Sequence, residues 1–379
     1  MKITSVRALP VAKALDEPLR WGAMSVGVKG GVLVIVTTDE GIVGYGEAGF
    51  SAEYFPTVGP IVNDQLGPMI TGRDPLEIGG LWQEMFEATH MWGRRGIETY
   101  ALSGIDMALW DILGKVAGQP VYRLLGAVKQ RARAYFAPSL KPTDEVVAEA
   151  REAVADGFTA IKLRLGKDVV EAARLVGAVR EAVGDDVDIM VDANMAYDRR
   201  TALSVARMLE TFGVAWLEEP IMCRSLSQYV EDNSWLSERV CLKLAGGESL
   251  LTRFEYIELL ERRTFDVLQP DCTSVGGISE AKKVADMASA WNIECVPHIA
   301  CSSGTGIGLA AGLHLILSCT NAPLIEFDAY RGLGWEGFLT QPLEVENGYV
   351  AALDAPGLGI ELAPDALERF GIDAPLLSV

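Results

Sequence analysis

From about Arg131 to Asp328 the chain repeats one pattern: a short apolar run of β-forming residues, then a longer segment with helical spacing. The apolar runs are Ala134–Phe136, Ala160–Leu165, Asp188–Val191, Ala215–Leu217, Leu242–Ala245, Val267–Leu268, Cys295–Val296 and Leu324–Phe327. Helical spacing fills Asp144–Ala155, Val169–Val183, Thr201–Thr211, Arg253–Arg262 and Ser279–Ala290. Unbroken apolar runs mark strands buried on both faces, and parallel strands need a crossover between them. Eight such units over about 200 residues predict an α/β fold of (β/α)8-barrel type. A doubly wound open sheet would carry about five or six strands and a glycine-rich phosphate turn after the first, and no such turn is present.

The residues before the barrel read as α+β. Val32 to Thr38, a turn at Asp39-Glu40-Gly41, and Ile42 to Ala48 predict a hairpin. Helical spacing follows at Leu76 to Trp92 and Ile97 to Val116, the second closed by Gly118 with Pro120 beyond it. After Asp328 the alternation stops, and Leu343 to Val350 holds Asn347-Gly348, a strong hairpin signal. The expected organisation is therefore a capping domain at 1–127, a barrel at 128–328, and a tail at 329–379 that returns to the cap's hairpin.

Composition narrows the partners. A formal charge of −19 argues against nucleic acid, and it obliges any anion site to bring its own positive charge. No apolar run reaches the length of a membrane span, and Met1 to Pro10 lacks the layout of a signal peptide. The six cysteines, Cys223, Cys241, Cys272, Cys295, Cys301 and Cys319, form no CxxC pair and sit in or beside apolar segments. That usage fits free thiols in a reducing compartment, so a cytoplasmic location is expected.

Charged residues at the ends of apolar strands need a reason. Each strand from the second to the eighth ends in one: Lys162, Asp192, Glu218, Glu248, Asp271, His298 and Glu326. The intervals, by subtraction, are 30, 26, 30, 23, 27 and 28 residues, about one β/α unit each. A barrel gathers all seven at its C-terminal mouth, where such folds keep their active sites.

Asp192, Glu218 and Glu248 would repel one another there unless a cation lay between them. Oxygen ligands alone point to Mg²⁺ rather than zinc. Glu219 competes with Glu218 on pattern, because neighbours on a strand face opposite ways. Asn194 fits either the metal shell or an Asx turn. His298 follows a strand adjacent to that of Asp271, so the carboxylate can hold one imidazole nitrogen and leave the other as a base. Lys162 and Arg164, two apart, both face inward and call for bound anions. Together the ring can remove a proton next to a carboxylate. The metal and the cations offset the negative charge that develops, and Glu326 donates a hydrogen bond if its pKa is raised.

The ordered set Lys162-x-Arg164, VDAN (191–194), WLEEP (216–220), GGE (246–248), QPD (269–271), VPH (296–298) and IEFD (325–328), with PGLGIEL (356–362) in the tail, resembles the mandelate racemase subgroup of the enolase superfamily along nearly the whole chain. The resemblance implies magnesium ligands at Asp192, Glu218 and Glu248, and a general-base dyad at Asp271 and His298. It implies a hydrogen-bond donor at Glu326 and the first lysine of a KxK motif at Lys162. Arg164 departs from that motif. Arginine is a poor proton acceptor, so two-base racemisation gives way to one-base chemistry. The implied activity is dehydration of a sugar acid. A racemase or epimerase, a sugar-acid lactone cycloisomerase, and a catalytically silent anion-binding barrel are the alternatives. Specificity is expected from cap segments near Trp21 to Val26 and Phe50 to Phe55, with Trp21, Met24 and Tyr54 as a partly apolar lid. A homo-oligomer is also implied.

Overall fold

In a computed structural model of the chain, β1 (Ile3–Trp21) pairs antiparallel with β2 (Met24–Thr38), and β3 (Val43–Glu47) completes a three-stranded sheet in the order β1-β2-β3. The structure describes every residue except 22, 23, 50, 92, 94, 223, 300–304, 329–336 and 373–379; for 16–21, 24–26 and 328 it describes the backbone alone. Cys223, Cys301, Phe50 and the side chains of Trp21 and Met24 therefore lie outside the described residues. The β2–β3 hairpin turns at residues 39–41 as the sequence indicates, whereas β1 goes unannounced because Pro10 and Pro18 read as breakers. β1 is an edge strand, where proline is tolerated.

Cap helices follow: α1 (Phe55–Pro60), a π-helical turn at Ile61–Leu66, α2 (Gly67–Ile70), α3 (Ile78–Ala88), α4 (Ile97–Ala117) and the short α5 (Val121–Leu124). α4 ends at Gly118 in the left-handed region, φ 61°, as expected. It lies very close to the sheet, and a Cβ at Gly46 would stand only 1.9 Å from Gly104 O. Val32, Val34 and Val36 pack with Leu102, Ile105 and Leu109 in the core between them.

The barrel strands are β4 (Arg131–Ala137), β5 (Ala160–Arg164), β6 (Asp188–Asp192), β7 (Trp216–Glu218), β8 (Lys243–Gly246), β9 (Val267–Leu268), β10 (Glu294–Cys295) and β11 (Leu324–Asp328). They pair in parallel from β10 back to β4, and β11 pairs with β4. Cys295 N–H donates to Asn321 O across the β10–β11 seam, 2.8 Å. The helices that follow the first seven strands are α6 (Thr143–Ala155), α7 (Val169–Val183), α8 (Arg199–Glu210), α9 (Leu226–Ser237), α10 (Thr252–Glu261), α11 (Gly277–Ala290) and α12 (Ile307–Leu317). Inside the ring, Tyr135, Ala160, Met190, Trp216, Ala245, Val267, Val296 and Leu324 fill the barrel below its mouth, and a second apolar layer joins strands to helices. The strand ends above this filling are thus the free positions for chemistry.

The tail corrects one expectation. β12 (Val345–Glu346) and β13 (Tyr349–Ala351) do form a hairpin about Asn347 and Gly348, but β13 pairs with β4 rather than with the N-terminal hairpin. β4 meets β5 only at Phe136, so its first residues offer an open edge that Tyr349 to Ala351 occupy. Contact with the cap begins at Gly357, which bridges to Pro120 and bonds to Gln119 and Val121, continues at Leu358 on Asp111 and Glu361 on Lys115, and ends after α13 (Ala366–Phe370), where Gly371 bridges to Val11.

Candidate active site

Six of the seven strand-end groups have side chains tied to one another. Lys162, on β5, is fully buried; its ammonium lies 2.8 Å from Glu218 Oε1 and 2.9 Å from Glu326 Oε1. Burial opposes the lysine's charge, but Glu218 and then Glu326 outweigh it, and its pKa stands well above the usual value. Arg164 faces the same way, with Nη1 3.2 Å from Asp192 Oδ2 and 3.5 Å from Asn194 Oδ1. Asn194 in turn donates its N–H to Asp192 Oδ1 (2.7 Å) and its amide to Oδ2 (2.9 Å), from a backbone with φ 43°. It is a support for Asp192, in the manner of an Asx turn.

Glu218 and Glu219 part ways as the strand alternation requires. Glu218 Oε2 accepts from Trp216 Nε1 (3.2 Å), while Glu219 Oε1 accepts from Tyr229 Oη (2.7 Å) and from Gly247 N–H (3.4 Å). Glu248, beyond β8, puts Oε2 3.4 Å from His298 Nε2. The other imidazole nitrogen, Nδ1, lies 2.7 Å from Asp271 Oδ2. Asp271 Oδ1 accepts from the N–H and the hydroxyl of Thr273, both 2.7 Å. Burial works against the charged imidazole, yet Glu248 first and Asp271 next raise the His298 pKa to about 10.

Glu326, expected as a hydrogen-bond donor if its pKa is raised, lies beside the Lys162 ammonium. Burial raises its carboxyl, but Lys162, and after it His298 and Arg164, outweigh burial and hold it at about 2. It accepts the Ile299 N–H at 3.3 Å.

The carboxylates fit a divalent cation in their chemistry. Asp192 and Glu218 are register partners on adjacent strands. Burial, then Glu218, with Glu248 adding, raises Asp192 to about 7; Glu248 is raised by burial and by Glu218. Each is thus destabilised by its neighbours, the condition that a hard cation with oxygen ligands relieves. As the side chains stand, no three acidic or imidazole groups among the described residues already surround an ion, because Arg164 and Lys162 engage Asp192 and Glu218.

From the cap, Tyr54 stands edge-on to Tyr100 of α4, with ring centroids 5.5 Å apart. Burial raises Tyr54 to about 12, helped by Glu53 and Asp271; Tyr100 is raised by burial, by Tyr54, and by Asp271 and Glu248. Tyr100 was not foreseen, because it sits in an unremarkable helix. Tyr135, whose ring lies 5.4 Å from Lys162 Nζ, and the fully buried Gln269 were also missed. Gln269 lies two residues before Asp271, so strand alternation places it on the same inward side, and that signal was available.

Comparison with known proteins decides what this geometry belongs to. Residues 3–126 match the mandelate racemase / muconate lactonizing enzyme N-terminal domain, and residues 145–366 match the enolase C-terminal domain-like family. The chain belongs to the mandelate racemase/muconate lactonizing enzyme family of the enolase superfamily. It is 36% identical to a D-galactarolactone cycloisomerase from Agrobacterium fabrum, over 99% of this chain and 100% of that one. It is 35% identical to an arabinonate dehydratase from Saccharolobus solfataricus, covering 88% of this chain and 89% of the relative. A racemase from Streptomyces coelicolor, solved with bound magnesium, superposes with a TM-score of 0.88 at 27% identity, over 98% of this chain and 100% of that one.

Proposed function

We propose that the chain is a magnesium-dependent sugar-acid dehydratase. On this reading, residues 1–127 form the cap on a barrel at 128–328, residues 329–379 are a C-terminal segment returning to the capping domain, and the enzyme works as a cytoplasmic homo-oligomer. The free thiols of Cys241, Cys272, Cys295 and Cys319 accord with that compartment. No helix among the described residues is long and apolar enough to cross a membrane.

The observation that carries the reading is His298, fixed by Asp271 through Nδ1 and turned by its Nε2 toward Glu248. A base held at one nitrogen presents the other in a defined direction, which is what abstraction from a bound carbon acid needs. Bound at Asp192, Glu218 and Glu248, Mg²⁺ supplies positive charge that opposes the charge growing on the substrate carboxylate and offsets the hold of Glu248 on the imidazole proton. Lys162 adds a second positive charge against that carboxylate. Neutral His298 takes the α-proton at Nε2, and the C–H electron pair moves into the carboxylate. Its return expels the β-hydroxyl, which leaves as water with the proton that His298 has gained. The enol so formed becomes a 2-keto-3-deoxy acid. Arg164 is engaged with Asp192 and Asn194 and serves as an anchor, not a second base.

The similarity to a lactone cycloisomerase over the whole chain supports a second reading with the same first step. Incubation of mono- and di-acid sugars with Mg²⁺ in deuterated water separates the two. A semicarbazone-forming keto acid lighter by one water than the open acid upholds dehydration, a keto acid isomeric with an added sugar-acid lactone favours the cycloisomerase, and no exchange on any of these substrates refutes both.

A further inference from the structure

The ring leaves unexplained the polar groups that the cap buries against the barrel. Glu47, the last residue of β3, is fully buried, and its Oε2 accepts from Thr305 Oγ1 (2.6 Å) and from Gly308 N–H (3.0 Å). Gly308 is the second residue of α12, the helix that follows the strand of His298. A cap carboxylate therefore satisfies an open N–H of a barrel helix, where the helix dipole also favours negative charge.

The neighbouring unit is held in the same way. Gly49 N–H donates to Thr273 O (2.8 Å), Gly276 N–H to Ser103 Oγ (2.8 Å), and Trp82 Nε1 to Gly276 O (2.8 Å). Ser279 N–H donates to Asp106 Oδ2 (3.0 Å), and Trp110 Nε1 donates to Ser279 Oγ (2.9 Å). The segment that follows Asp271 is thus bonded to the cap along its length.

The two anchorages meet at Thr273. Its N–H and hydroxyl fix Asp271 Oδ1, which directs Oδ2 at His298 Nδ1. A Cβ at Gly308 would fall 2.8 Å from Thr273 Cγ2 and 3.2 Å from Glu47 Oε2, so the threonine and the cap glutamate both lie against the helix end.

We infer that Glu47 and Thr273 are positioning residues for the Asp271–His298 dyad, through which the seating of the cap on the barrel sets the direction of the imidazole. A carboxylate gripped at one oxygen by two donors has one orientation, and such outer partners commonly decide how well a first partner performs. Thr273 supplies that grip, and Glu47 holds the helix end against which Thr273 packs.

The inference rests on the proposed role of the dyad, but its test needs no substrate. The full chain, with Mg²⁺ and ¹⁵N-labelled histidine, carries three imidazoles, at His90, His298 and His314; the His298 signal is assigned by its loss in His298→Asn. In Thr273→Val and Glu47→Ala, exchange of the His298 Nδ1 proton with solvent is expected to speed up about tenfold or more, the size of effect that losing one hydrogen bond produces. His314 is expected to stay unchanged, and Glu47→Gln, which keeps an acceptor, is expected to restore the wild-type signal. If Thr273→Val and Glu47→Ala leave the His298 signal and its exchange rate as in the wild type, the inference is overturned, whatever happens to Tm. Should Glu47→Ala fail to fold, the near-isosteric Thr273→Val decides in either direction. A negative proton-exchange screen on acid sugars would sink the dehydratase reading and leave this result standing.

Discussion

The two ends of the barrel handle charge in opposite ways. At the N-terminal end Arg133 pairs with Asp188 (2.7 Å) and Lys243 with Glu294 (2.8 Å), and all four side chains are at least 29% exposed. At the mouth Lys162, Asp192, Glu218, Asp271 and Glu326 are 2% exposed or less, and carboxylates outnumber the cations among them. Exposed one-to-one pairs contribute little, about 0–1 kcal/mol. Buried like charges cost stability, and a fold keeps them only where they serve a task. The barrel thus carries solvated one-to-one pairs below and a buried, predominantly acidic cluster above.

The sharpest way to break this contrast is at the base. His298→Asn is expected to lower α-proton exchange about a hundredfold to ten-thousandfold at nearly unchanged Tm, measured by deuterium incorporation into an acid-sugar substrate. Undiminished exchange would remove the mouth's claim to chemistry.

The next effect belongs to the lower end, where α12 finishes. His314 is neutral there: Nδ1 accepts from Tyr122 N–H (3.1 Å), and Nε2 lies 3.0 Å from Leu358 O. Burial lowers its pKa from 6.5 to about 4. The unfolded chain therefore binds the proton first, so this contribution is whole above pH 6.5 and is lost as pH falls toward 4. The loss is on the order of 3 kcal/mol. Denaturant titrations of wild type and His314→Gln across that range check it, and parallel pH dependences would contradict it.

Mg²⁺ is expected to stabilise the protein by about 2.7 kcal/mol at a hundredfold excess over its Kd, and a chelator to abolish activity. Asp192→Asn is expected to raise the Tm of the metal-free protein and to remove the gain on adding Mg²⁺. A variant that still responds fully to Mg²⁺ would place the cation elsewhere. The smallest effect is expected from Lys243→Met, under about 1 kcal/mol by thermal unfolding. A larger loss would mean that the lower pairs are not mere surface contacts.

Much of the barrel was readable because burial on both faces forces unbroken apolar runs, and helices between them are the only short way to keep strands parallel. Val267–Leu268 was placed to the residue, and the strand ends from Lys162 to Glu326 followed from it. The helices at 55–70 were not legible, since Pro56, Pro60, Gly59 and Gly67 read as loop while packing against the sheet overrides them. Nor was the docking of β13 on β4, which depends on how far β4 extends below β5.

The sequence alone determined which groups meet, because the order of strands around a barrel follows chain order and carries each strand end to the same rim. Only the tertiary structure decided how they behave. Which of Glu218 and Glu219 faces Lys162, how closely Glu326 approaches that lysine, and which cap residues grip the segment after Asp271 depend on distances of a few ångströms across the fold. Hydrogen bonds and pKa shifts are set by those distances and by burial, and spacing along the chain carries neither.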